Sequence, residues 1–190
     1  MTMSTQVVTS QGLVVDLIEP SPRSIDIRDI AHHLALLNRF VGATPSPYSV
    51  AQHSCVVLKI CEDKRCTPIT CLMALLHDAH EAYSGDVSRP LQRTLFGPAA
   101  KPISLVTRAL DIAIHRALDL GSLVNKADYS AIWEADNVAL ATEWRSMMLG
   151  PIPEGLPEPA NFSVTPMNWS LAEQKFLGAF NRLSALVPRI

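Results

Sequence analysis

Apolar residues return every three or four positions along most of this chain, the period of helices laid on a core. Only the N-terminus departs from it. Residues 5–18 hold two β-branched runs around Ser10-Gln11-Gly12, which predicts a short hairpin. Asp26 can cap a helix through "IRDIAHHLALLNRF", with Ile30, Leu34 and Leu37 on one side and Gly42 beyond its end. Ser49 followed by Gln52 is a capping-box pair for a second helix to about Glu62. Pro68 opens a third helix, which Gly85 stops. A fourth is expected over 99–120 and a fifth over 126–149, and Ser170 caps a last one to about Leu186. "GATPSP" and "GPIPEGLPEPANFSVTP" are loops by their Gly and Pro content. No repeat or linker divides the chain. The pattern predicts one mainly α domain over 1–190: a hairpin at 5–18, a helical core at 26–149 and a C-terminal helix at 170–186.

Composition narrows the class. At 190 residues, 48% hydrophobic and 18% charged, the chain can bury one sizeable core. A net charge of −2 offers no basic surface for stable nucleic-acid binding or an anionic membrane. No apolar run reaches the roughly 18 residues of a membrane span, and no signal-peptide pattern opens the chain, so a cytoplasmic protein is expected. Cys55, Cys61, Cys66 and Cys71 lack a CxxC spacing and read as small hydrophobes of a reducing compartment.

One stretch changes the picture. "ALLHDAHEAYSGDVSRPL", residues 74–91, begins as a core helix and then carries His77, Asp78, His80, Glu81 and Asp86. Charge buried without a partner costs several kcal/mol, so such a helix end is either solvated or faces a site. Two other helices raise the same question. His53 falls on the apolar stripe of Val50, Val57, Ile60 and Cys61, and Asp136 falls within that of Trp133, Leu140, Trp144 and Met147. Two imidazoles and two carboxylates converging from three helices make a site for a divalent cation, which supplies the charge Asp78 and Asp136 need. On a continuous third helix, Glu81 shares one side with His77 and Asp78. His80 points away from it, and His32, His33 and His115 read as ordinary structural histidines.

His53, then His77-Asp78, then Asp136 resembles the H…HD…D signature of the HD-domain metal-dependent phosphohydrolases. "YSVAQHS", "LLHDAHEAYSGD" and "EADNVALATE" around those residues resemble the branch of bacterial 5′-deoxynucleotidases and phage-type deoxynucleotide phosphohydrolases, from about Asp26 to Met148. The resemblance implies an HD-type helical bundle with His53, His77, Asp78 and Asp136 as metal ligands, and Mn2+, Co2+, Mg2+, Fe2+ or Zn2+ as the ion. It implies Glu81 and Asp86 as the acidic residues that complete the catalytic site, Glu81 as the acid beside the leaving oxygen and Asp86 orienting water or a second ion, in roles that can be exchanged. Arg39 matches an arginine that grips the substrate phosphate, and Arg89 is a second phosphate contact. Phe40 stands where those enzymes carry a tryptophan against the sugar. Pro90 resembles a residue lining the base pocket. The implied activity is hydrolysis of a nucleotide 5′-phosphate ester by a metal-activated water, in an oligomer of at least two copies. A dNTP triphosphohydrolase and a non-catalytic nucleotide-binding module are the alternatives.

Overall fold

The computed structural model describes residues 5–96, 101–121 and 123–187. They are mainly helical, with a two-stranded antiparallel sheet at the N-terminus. Strands β1 (Gln6–Val8) and β2 (Val14–Asp16) pair in register Val7 to Val15, and Gly12 closes their turn at φ +77°. Eight helices follow: α1 Ile27–Leu36, α2 Val50–Asp63, α3 Pro68–Leu75, α4 Glu81–Ser84, α5 Arg89–Phe96, α6 Lys101–Ala117, α7 Tyr129–Met147 and α8 Trp169–Leu186. No helix among the described residues is long and apolar enough to cross a membrane.

Helix starts follow local chemistry. Asp26, Ser49, Thr67 and Asp128 each accept a hydrogen bond from a backbone N–H of the first turn, satisfying donors the helix leaves open. The Ser49 box is only half formed. The Gln52 side chain reaches across to Thr165 and Met167 instead, tying α2 to the long connection before α8. Asn168, not Ser170, caps α8 and accepts from the Ser170 N–H.

Three boundaries differ from the periodic reading. Helix α1 ends at Leu36, short of Arg39 and Phe40, because Leu37–Arg39 turn extended and pair with Tyr48–Val50. The third helix is broken in two: α3 stops at Leu75, and a turn through residues 76–80 leads into the short α4. Helix α5 occupies a stretch with no expected helix, while the segment joining it to α6 lies outside the described residues.

Helix α2 is the centre of the bundle, packing against α1, α3, α7 and α8. Ile30, Leu34, Val57, Leu72, Leu75, Leu110, Ile114 and Phe176 are fully or almost fully buried in one common core. Each such side chain contributes about 1.5–3 kcal/mol of transfer free energy. The buried stripe of α7 is Ile132, Ala135, Ala139 and Thr142, whereas Trp133 stands in solvent at 68% exposure. Small residues on that stripe let α7 lie close to α2. That closeness brings Asp136 against His53.

Candidate metal centre

Two helices and one turn aim polar groups at a common point. His53, on the core side of α2, is wholly buried. His77 and Asp78 lie in the turn after α3, and Asp136 lies on α7. The ring centroids of His53 and His77 are 5.2 Å apart.

Each imidazole is already committed at one nitrogen. His77 Nδ1 is 2.8 Å from the Ala74 carbonyl, which can only accept, so Nδ1 carries the proton. His53 Nδ1 donates to Glu143 Oε1 at 2.6 Å. Both rings therefore turn Nε2 inward, and both Nε2 atoms are buried with no hydrogen-bond partner. They face carboxylate oxygen. His53 Nε2 is 3.2 Å from Asp136 Oδ1 and 3.6 Å from Asp78 Oδ2. His77 Nε2 is 3.1 Å from Asp78 Oδ2 and 3.9 Å from Asp136 Oδ1.

A neutral imidazole in this arrangement aims a lone pair at an anion, which repels it. Burial pushes the His77 imidazole down, but Asp78 and Asp136 outweigh it and raise the ring to about 9. His53 is also raised, against burial and Arg39, by Glu143 and Asp136. Burial works against charge on Asp78 and Asp136 too, yet the neighbouring histidines hold both carboxyls well below the usual range. Those shifts describe a site asking for positive charge. One cation meets the need of both rings without two adjacent imidazoliums. Metal bonds of about 2.0–2.2 Å at tetrahedral or octahedral angles set neighbouring donor atoms about 2.8–3.6 Å apart. Three of the four distances above lie in that range. His53, His77 and Asp136 form a cluster able to hold a metal ion, with Asp78 beside it as a further oxygen donor.

The remaining expected residues surround this point. Arg39 is largely buried, with Nη1 3.8 Å from Asp78 Oδ2 and Nη2 3.3 Å from Glu143 Oε2. The Phe40 ring lies under its guanidinium, 5.5 Å to the centroid, and packs edge-on to Trp144. Phe40 and Val41 both adopt left-handed backbone, φ +55° and +54°. Such conformations cost of order 1–3 kcal/mol each and persist where the surroundings hold them. Arg39 is thus not a helix-end cation; its N–H binds the Tyr48 carbonyl in a strained corner of the fold. Arg89 donates from Nη2 to Asp136 Oδ2 at 2.9 Å, leaving Oδ1 to face the histidines.

Glu81 reaches the site by another route than a continuous helix. It opens α4, with its N–H bound to the Asp78 carbonyl. Its Oε2 is buried and has no hydrogen-bond partner. Burial, with the charges of Asp78 and Asp86, pushes the carboxyl up to about 9, so it keeps its proton at neutral pH. Asp86 is raised in the same direction, chiefly by burial. Gly85 between them adopts φ +79°, ψ 159°, a conformation open to glycine, which turns the chain out of α4.

Glu81 also borders a cavity of about 270 Å³, shared with Gly85, Val87, Gln92, Val106 and Thr107. None of His53, His77, Asp78 and Asp136 lines it, so it lies beside the metal point and not over it. Pro90 is exposed in the first turn of α5, and the cavity wall comes from Val87 and Gln92 on either side. His80 lines the same cavity and binds Asp111 of α6 at 3.0 Å, not bare solvent. His32 binds Glu173 and His33 binds the Ala82 carbonyl, as structural histidines do. Burial raises the Cys55 and Cys61 thiols to about 12 and Cys71 to about 11, which keeps them unreactive.

Sequence reasoning missed Glu143. Wholly buried on α7, it accepts from His53 Nδ1 and from the Tyr48 hydroxyl at 2.8 Å, and faces Arg39. Its place seven residues after Asp136 puts it on the same side of the helix, which is the signal that could have found it.

No protein-family model matches this chain. It is 33% identical over 167 residues to the uncharacterized protein YfdR of Escherichia coli, covering 85% of this chain and 86% of YfdR. It is 34% identical over 138 residues to an uncharacterized protein of Rhodobacter capsulatus, covering 70% of this chain and 67% of that one.

Proposed function

The chain belongs to the family of Escherichia coli YfdR, and we propose that it is a divalent-metal-dependent phosphohydrolase cleaving the 5′-phosphate ester of nucleotides or deoxynucleotides. Two histidine nitrogens turned on carboxylate oxygens, beside a carboxyl that keeps its proton, support this most directly. The H…HD…D order of these residues supports the same reading, as an HD-type site. A bound divalent cation supplies charge for phosphoryl oxygens and lowers the pKa of a water. The protein's own groups do the rest. Arg39, its fork free to leave Asp78, grips the phosphate. Arg89, 56% exposed on its side chain, is placed for a second contact. Glu81 donates its proton to the departing 5′-oxygen, a poor leaving group without it. Asp86 orients the attacking water. The cavity beside Glu81 takes the leaving nucleoside, with Val87 and Val106 against the ring and Gln92 and Thr107 at its polar edge.

Chromatography of products from dAMP and dATP, with Mn2+ or Co2+ and with chelator, tests this. Nucleoside plus phosphate from dAMP, lost on chelation, is the expected result; nucleoside plus triphosphate from dATP would establish the triphosphohydrolase alternative. Intact nucleotides in every metal-loaded sample would refute hydrolysis and leave a binding module.

A further inference from the structure

We infer that Glu143 is the positioning residue of this centre: it fixes His53 in the tautomer that presents Nε2 to a cation, and with the same carboxylate anchors Arg39. The inference rests on His53 being a metal ligand.

The geometry admits one assignment of roles. Glu143 Oε1 receives two donors, the His53 Nδ1–H at 2.6 Å and the Tyr48 hydroxyl at 2.8 Å. Its Oε2, with no hydrogen bond, lies 3.3 Å from Arg39 Nη2. Glu143, His53 and Tyr48 are all wholly buried, so water cannot replace any of these contacts. A carboxylate in such a place needs a compensating charge, and Arg39 is the cation in reach. Without Glu143 the His53 ring would be free to hold its proton on either nitrogen, and half of those states present N–H to the metal point. A carboxylate behind a ligating imidazole also makes the ring a better donor. His77 has only a carbonyl in that position, so the two ligands are not equivalent. The negative charge behind His53 lies on the Arg39 side, which joins the cation point to the phosphate grip through one side chain.

Mn2+ binding to metal-free protein, measured by calorimetry, tests this without reference to turnover. Wild type, Glu143→Gln and Glu143→Ala are compared, with circular dichroism to establish folding and 15N imidazole spectra to read the His53 tautomer. Gln keeps an acceptor for Nδ1–H but no charge; about tenfold weaker Mn2+ binding with the tautomer retained is expected. Ala removes the acceptor; about 100-fold weaker binding and a mixed tautomer are expected. A purely structural role would lower the melting temperature and leave the tautomer alone. Where Ala does not fold, Gln decides: affinity within threefold of wild type (about 0.65 kcal/mol) overturns the inference, and a larger loss upholds it. Wild type that takes up no Mn2+ overturns the metal site and this inference together. Normal uptake by wild type with unchanged affinity in the variants overturns this inference alone.

Discussion

Replacing Glu81 by Gln separates the chemistry of this centre from its assembly. With burial, Asp78 and Asp86 pushing its carboxyl up to about 9 in the metal-free protein, the native side chain is neutral at pH 7. Gln has the same shape and the same neutral charge, so folding and metal uptake should change little. What Gln lacks is a proton to give. A positioned acid contributes roughly 10²–10⁴ in rate, about 3–5 kcal/mol of barrier. The loss should therefore fall on kcat with dAMP, with Mn2+ stoichiometry unchanged. A p-nitrophenyl phosphate ester, whose leaving group needs little protonation, should lose far less. The native enzyme should also lose kcat as pH rises through the titration of Glu81, and Glu81→Gln should lack that limb. Equal loss on both substrates with metal retained would refute the acid role and favour water positioning. Loss of metal would make Glu81 a ligand and pass the acid role to Asp86.

Asp136→Ala and Asp78→Ala should each abolish Mn2+ uptake and turnover while circular dichroism shows a folded protein, because each removes an oxygen facing the histidines. Arg39→Ala should raise KM for dAMP about tenfold or more, as expected for a charge-assisted contact to phosphate, and steady-state kinetics would read it; an unchanged KM would return Arg39 to the role of counter-charge for Glu143. Stability of the metal-free protein should depend on pH. His77 is raised above its ordinary value, so its contribution is complete below about pH 6.5 and is lost as pH climbs to about 9. Glu81, also raised, changes in the same direction over that window. Melting temperature should thus fall from pH 6.5 to 9 without metal, and the fall should be smaller with Mn2+ bound; a flat metal-free profile would contradict the protonation scheme.

The helical class, the hairpin and the stripes of α2 and α3 were legible because burial imposes a period that a linear chain displays. Leu72, Met73, Leu75 and Leu76 are buried as expected. What was not legible was set by contacts distant in sequence. Periodicity carries α1 through Arg39, but pairing of Leu37–Arg39 with Tyr48–Val50 ends it earlier. It carries the third helix to Gly85, yet the chain breaks at His77-Asp78, where side chains turn to the cluster. On α7 the large apolar residues misled: Trp133 is exposed and the packed face is made of alanines, because close approach to α2 favours small side chains. His53, His77, Asp78 and Asp136 were singled out as polar groups on or at the end of apolar stripes, and the structure brings His53, His77 and Asp136 together. Glu143 was not singled out, because a buried glutamate among "ALATEW" reads as an exposed helical charge until its partners Tyr48, His53 and Arg39 are seen. The tautomers of His53 and His77 likewise follow from neighbours that no local pattern names.

Turnover of dAMP measured against metal occupancy tests the central claim most directly. Metal-free protein is titrated with Mn2+, and bound metal and nucleoside product are measured in the same samples, with Asp136→Ala alongside. Hydrolysis should be absent at zero occupancy, rise in proportion to bound metal, saturate when the His53–His77–Asp136 cluster is filled, and fail to appear in the variant. Full occupancy without nucleoside product, or equal hydrolysis by metal-free protein, would contradict it.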